Sequence, residues 1–120
     1  MENKLFDSEL KLMELVWDNE PVSAKNLASL AADKIGWNKN TTYTVITKLV
    51  GKGVLVREEP GFVCRAILRR EDARMAETES LVSRFFGGSR KALFSALLDD
   101  EALTPAEIDE LQALIERKKP

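Results

Sequence analysis

The chain has 120 residues, 44% of them hydrophobic and 32% charged, with a formal net charge of −2 at pH 7. That length suits one small domain, or a compact domain with an appended segment, and no run of about 18 apolar residues marks a membrane span. With no histidine and one cysteine, the chain lacks the commonest general base, the commonest metal ligand, any internal disulfide and any cysteine-based metal cluster; neither an enzyme nor a metal or cofactor site is expected.

The first helix reads from Asp7 to Asn19, with Asp7 or Ser8 as its cap and Leu10, Met13, Val16 and Trp17 along one side. Pro21-Val22 breaks it and leaves room for no more than a small strand. Ser23 then caps a second helix, Ala24 to about Lys34, with Leu27, Leu30 and Ala31 as apolar positions. Gly36 ends that segment, and Trp37 is expected to pack into the core beside it.

A third helix runs from about Asn40 to Val50 and closes with Gly51 and Gly53. Thr42, Val45, Ile46 and Leu49 fall at the i, i+3, i+4, i+7 spacing of a core-facing stripe. Asn40, Thr41, Tyr43, Thr44, Thr47 and Lys48 occupy the opposite face. None is acidic, none is bulky and aliphatic, and nearly all can hydrogen-bond. Such a face suits the major groove of DNA. In isolation a solvated helix face is the better reading; its neighbours shift the balance.

Two β-type runs follow, Val54 to Glu58 and Phe62 to Leu68, joined by the turn signal Glu59-Pro60-Gly61. Cys64 lies in the second run and reads as a buried or half-buried structural thiol. Three helices and then a hairpin is the winged helix-turn-helix order. Arg57 and Arg65 sit on the hairpin within reach of phosphates flanking a groove, although a plain hairpin completing the core is as compatible with the pattern.

From Glu71 the character changes. One helix reaches about Phe86 and carries Met75, Leu81, Val82 and Phe85. Gly87-Gly88 breaks it, and Ser89 caps another with Leu93, Phe94, Leu97 and Leu98. Thr104-Pro105-Ala106-Glu107 is a capping box with proline at the first helical position. It opens a last helix carrying Ile108, Leu111, Leu114 and Ile115. Three short amphipathic helices bury little among themselves. A second copy of the chain is the simplest source of the missing surface, and a two-fold dimer would present two recognition helices to a two-fold operator. The competing arrangement folds these helices back on the winged domain in a monomer. Met75, Leu81, Val82, Phe85, Leu93, Leu97, Ile108, Leu111 and Ile115 are the candidate dimer residues. The expected fold is mostly α with a small β-hairpin: a winged helix-turn-helix in residues 1–70 and a helical dimerisation segment in residues 71–120.

The charge is unevenly spread. Residues 1–20 and 71–120 each carry −4, whereas residues 21–70 hold nine bases against three acids, a net +6. Local charge at the contact surface governs phosphate binding, and acidic parts beyond a Debye length of about 8 Å are largely screened. Lys39, Lys52, Arg57 and Arg65 are the candidate phosphate ligands. No Gly-rich phosphate loop or G-x-S-x-G elbow occurs, and the pairs Glu58-Glu59 and Asp99-Asp100 read as solvated charges. The opening Met-Glu-Asn-Lys lacks an apolar signal-peptide core, so a cytoplasmic, non-membrane protein is expected.

Over nearly its whole length the chain resembles the penicillinase-repressor family, the BlaI/MecI/CopY group of bacterial transcriptional regulators. Ser8, Glu9, Met13 and Trp17 match a helix-one pattern. Trp37 to Gly53 is similar to the family's W-S-P-K-T-x-x-T-L-x-x-R-L-x-x-K-G, and Leu103 to Leu111 to its L-S-x-x-E-I-x-E-L. The resemblance implies a homodimeric repressor whose N-terminal half binds a palindromic double-stranded operator and whose C-terminal helices form the dimer. By position, Thr41 and Thr44 match two family threonines, Asn40 a polar or basic residue and Lys48 a basic one. Tyr43 departs from the basic side chain usual at its place, and Lys39 stands where proline is common.

Release of repression is not legible. The antibiotic-responsive branch implies a sensor protease as partner and cleavage at an Asn-Phe bond; Ala96-Leu97 stand at the matching positions, and no Asn-Phe pair occurs in the chain. The copper-responsive branch implies a C-terminal cluster of four cysteines, which is absent. The alternative to a DNA-binding repressor is a winged-helix protein-interaction module without sequence-specific DNA binding, against which the +6 segment argues.

Overall fold

The computed structural model describes residues 4–120. The elements run α1 (Asp7–Asn19), β1 (Val22–Ser23), α2 (Ala24–Lys34), α3 (Lys39–Lys52), β2 (Leu55–Glu58), β3 (Val63–Ala66), α4 (Arg70–Phe86), α5 (Arg90–Leu98) and α6 (Pro105–Lys118). The chain is thus mostly helical with a small antiparallel sheet in the order β1-β3-β2, a winged helix followed by further helices.

Side chains at the helix ends explain where the elements start and stop. Ser23 accepts from the Asn26 amide at the head of α2, and Asn38 from the Thr41 amide at the head of α3, each satisfying a donor that the first helical turn leaves unpaired. Gly53 closes α3 with φ 79°, a left-handed conformation that glycine adopts without a Cβ clash. Gly51, expected to lie at the end of this helix, stays inside it. In α1 the cap is neither Asp7 nor Ser8: the helix is preceded by Phe6, whose amide donates to Glu9 Oε1 at 2.8 Å.

α1, α2, α3 and the sheet enclose the core. Leu12, Met13, Val16, Leu27, Ala31, Ile46, Leu49 and Cys64 are fully buried, with Trp37 and Tyr43 packed at the margin. Thr42, Val45, Ile46 and Leu49 form the buried stripe of α3, as its spacing predicts. Leu10 departs from expectation. It is 41% exposed, and the inward positions of α1 are Glu9, Leu12, Met13, Leu15 and Val16. A carboxylate occupies the place an apolar pattern would fill, and that displaces the apparent stripe onto Leu10.

β3 is the central strand. It pairs β2 from Leu55↔Ala66 to Glu58↔Val63, and β1 through Val22↔Cys64 and Ser23↔Val63. β1 is too short to cover all of β3, and Glu20 Oε1 accepts from the Ala66 amide at 2.7 Å beyond it. Both strands of the hairpin are shorter than the runs that signal them. The Trp17 indole donates to the Leu68 carbonyl at 3.0 Å. The Arg70 guanidinium lies 5.3 Å from the Trp17 ring and donates to Glu14 and Asp18, holding the first turn of α4 to α1.

Two units divide at Thr78 and Glu79. The division falls inside α4, and Ala73 packs against the first unit's core. In the second unit Gly87 and Gly88 take positive φ between α4 and α5. Thr104 and Glu107 form the reciprocal capping box that opens α6, with Pro105 in its first turn. Among the described residues no helix is long and apolar enough to cross a membrane, and no cluster of metal-ligating side chains occurs.

Candidate nucleic-acid interface

The buried stripe of α3 fixes what the opposite face presents. Asn40, Thr41, Thr44, Thr47 and Lys48 are exposed. Along the 3.6-residue repeat Asn40, Thr44, Thr47 and Gly51 fall in one line, with Thr41 and Lys48 beside it. This face carries hydroxyls, an amide and a cation, and no carboxylate.

Tyr43 differs from its companions. It is half-buried and packs against the core, with the Lys39 ammonium 5.8 Å from its ring centroid. The ring therefore anchors the start of the helix and carries a cation on it. The Thr47 hydroxyl donates to the Tyr43 carbonyl at 3.0 Å, leaving its lone pairs and methyl outward.

The ammonium of Lys52, one of the candidate phosphate ligands, lies 2.6 Å from Glu9 Oε1 and 3.1 Å from the Lys4 carbonyl, and 4.7 Å from the Phe6 ring. Glu9 is 4% exposed. Burial raises its carboxyl pKa; the hydrogen bonds from Lys52 and the Phe6 amide, with the charges of Lys52 and Lys48, outweigh this, and the net shift is downward. Lys52 thus serves an internal pair that ties the end of α3 to the start of α1.

The two hairpin arginines lie on opposite faces. Arg57 stands opposite Cys64 and Arg65 opposite Val56, so alternation along the strands sends them to opposite faces of the hairpin. Arg65 Nε donates to Glu58 Oε1 at 2.9 Å on the exposed surface. Arg57 lies 5.4 Å from the ring of Phe62, a residue that pattern reading assigned to a strand. Phe62 instead sits in the connection, 52% exposed, with φ 50°. Cys64 is fully buried, and burial raises its thiol pKa, which the charge of Arg57 partly opposes. It is the inert structural thiol that its surroundings imply.

The helices α4, α5 and α6 display much apolar surface. Met75, Leu81, Phe85, Leu97, Ile108 and Ile115 are exposed, as are Phe94, Leu98 and Leu114. Leu93 and Leu111 are half-buried. Val82 differs from the other candidate dimer residues: it is 2% exposed within its own chain.

A family model described as penicillinase repressor matches residues 5–117. The chain is 31% identical over 118 residues to an uncharacterized 16.5 kDa protein in the ptsI 3' region of Latilactobacillus sakei, covering 97% of this chain and 81% of that protein. It is 24% identical over 118 residues to the penicillinase repressor of Bacillus licheniformis, covering 97% and 92% of the two chains. It is also 24% identical over 123 residues to the methicillin resistance regulatory protein MecI of Staphylococcus aureus, covering 98% of this chain and all of that protein.

Proposed function

The chain belongs to the penicillinase repressor family of transcriptional regulators, and from that premise we propose that it binds a palindromic DNA operator as a homodimer, with α3 in the major groove of each half-site. One observation carries the reading: the outward face of α3, a helix with no acidic residue of its own, exposes Asn40, Thr41, Thr44, Thr47 and Lys48, inside the one segment of the chain with a net charge of +6. The mechanism needs no bond-making chemistry. Amide, hydroxyl and ammonium groups read base edges, and a well-placed bidentate contact discriminates by about 1–3 kcal/mol. Lys39 and Arg57 neutralise phosphates and set the register. Occupancy of a promoter excludes the polymerase, and the protein acts in the cytoplasm, beside the chromosome.

The exposed apolar side chains of α4, α5 and α6 support pairing with a second copy. Two linked recognition helices bind as one bivalent unit, so an operator with both half-sites is held far more tightly than one with a single half-site. The test is selection of duplexes from a randomised pool by the full chain, followed by gel shift of the selected sequence at several salt concentrations. A two-fold symmetric consensus whose affinity falls steeply with salt is expected. No enriched sequence, or an asymmetric one bound by a monomer, would refute the reading.

A further inference from the structure

Glu14, Trp17 and Asp18 stand at i, i+3 and i+4 on one face of α1, and all three meet the chain where it enters α4. The Trp17 indole donates to the Leu68 carbonyl at 3.0 Å. Arg70 Nη2 donates to Glu14 Oε1 at 2.8 Å and to Asp18 Oδ1 at 2.7 Å, with the guanidinium 5.3 Å from the Trp17 ring. Leu68 is buried before it, and Ala73 packs on the core after it. Stability alone does not account for the arginine. The Glu14 and Asp18 side chains are 44% and 62% exposed, and such pairs add little to folding. Arg70 Nε is enclosed without a hydrogen-bond partner among the described residues, and a donor so placed costs stability. What the planar guanidinium supplies is direction. Held by two carboxylates and an indole face, it fixes how the first turn of α4 leaves α1, which a single rotatable ammonium would not.

We propose that Arg70 is a positioning residue that sets which spacing of half-sites the dimer accepts. The inference rests on the operator-binding reading and deepens it. α4 is one uninterrupted helix, Arg70–Phe86, and along it Met75, Leu81 and Phe85 are exposed, the side chains offered for pairing with a second copy. The direction in which α4 leaves α1 therefore enters the separation of the two α3 helices, once in each protomer. A clamp on the first turn narrows the range of separations. A bivalent binder gains most when the span it holds matches its sites, so the same clamp that strengthens binding at one spacing penalises every other.

The experiment uses the full chain and the operator that it selects from a random pool, together with a single half-site and operators carrying one base pair more or fewer at the centre. One base pair shifts the half-sites by about 3.4 Å and turns them by roughly 34–36°. Arg70→Met keeps the stem and removes the fork; Glu14→Gln/Asp18→Asn removes both charges on α1 and leaves the arginine; Arg70→Lys keeps a cation without the planar fork. Wild type is expected to lose about 100-fold on the altered spacings, Arg70→Met and Glu14→Gln/Asp18→Asn about tenfold or less, and Arg70→Lys an intermediate amount. Arg70→Met should bind the selected operator about tenfold more weakly, while it still sediments as a dimer and holds the single half-site as wild type does. Wild-type discrimination among spacings in Arg70→Met overturns the proposal and leaves operator binding standing. Loss of half-site binding in Arg70→Met and in Glu14→Gln/Asp18→Asn assigns the cluster to folding and overturns it as well. A wild-type chain that selects no two-fold sequence overturns both readings.

Discussion

The Lys52 ammonium meets Glu9 Oε1 at 2.6 Å, and the same oxygen accepts the Phe6 amide at 2.8 Å. One carboxylate therefore closes the first turn of α1 and fastens the far end of α3 to it. Since α3 carries the proposed reading face, the pair sets how rigidly that face is held. The Glu9 side chain is 5% exposed and that of Lys52 29%, so removing the lysine alone leaves a buried carboxylate without its countercharge. Lys52→Met is expected to destabilise the fold by about 2–3 kcal/mol, at the low end for a buried pair because the lysine is part-solvated. Urea unfolding should show the Glu9→Gln/Lys52→Met double variant losing less than Lys52→Met alone. A double-variant loss equal to the sum of the Glu9→Gln and Lys52→Met losses would mean that the two groups are not coupled.

The same pair makes stability depend on acidity. The Glu9 carboxyl titrates below its ordinary value of 4.5 in the folded chain. Its contribution is complete above the unfolded value and is lost as pH falls through the lowered folded value, because the unfolded chain takes up the proton first. Melting temperature should decline through this acidic window, and Glu9→Gln should flatten that part of the curve. A wild-type profile identical to that of Glu9→Gln would remove Glu9 from the explanation.

The stripe of α3 was readable from spacing alone because nothing opposes it: Thr42, Val45, Ile46 and Leu49 all turn inward. Ser23 and Thr104 were equally legible, as caps with a single plausible partner. Glu9 was not, since an acid in an apolar stripe carries no mark that a lysine 43 residues later will meet it. The pairing of Lys52 is hidden for the same reason, long-range contact being invisible to local charge counting. The opposed directions of Arg57 and Arg65 depend on strand register, and register depends on where the turn falls. Phe62 looked like a strand residue, and only its backbone angle shows that it belongs to the turn.

Substitution on the reading face separates base contacts from phosphate contacts. Lys48→Ala is expected to weaken the selected operator more than random duplexes, whereas Arg57→Ala should lower affinity for all sequences and reduce the salt dependence. Arg65→Ala should change little, because Arg65 points away from Arg57 and is occupied with Glu58. Anisotropy titrations over a salt series decide this. If Lys48→Ala and Arg57→Ala both bind as wild type does, the contact surface lies elsewhere.

Gly51 offers a stability readout and a binding readout that move in opposite directions. It is exposed in α3, it is in line with Asn40, Thr44 and Thr47, and a Cβ placed on it would meet nothing within 4 Å. Alanine there should stabilise the fold by about 0.5–1 kcal/mol through helix propensity. If DNA lies against this line of the helix, the added methyl will also lower operator affinity. A more stable variant with unchanged affinity would place the groove nearer the start of α3.

Dimerisation is tested best where the side chains are exposed, since a charge introduced there does not disturb the chain's own packing. Phe85 is 69% exposed and Leu97 51%. Each would add about 1.5–3 kcal/mol if fully buried against a second copy, and aspartate would replace that gain with the cost of desolvating a charge. Phe85→Asp/Leu97→Asp should therefore sediment as a monomer with unchanged helical circular dichroism, and should bind a single half-site about as well as a full operator. Val82→Asp should unfold its surroundings instead, because Val82 is already enclosed. A Phe85→Asp/Leu97→Asp chain that still sediments as a dimer would place the interface on another part of the chain.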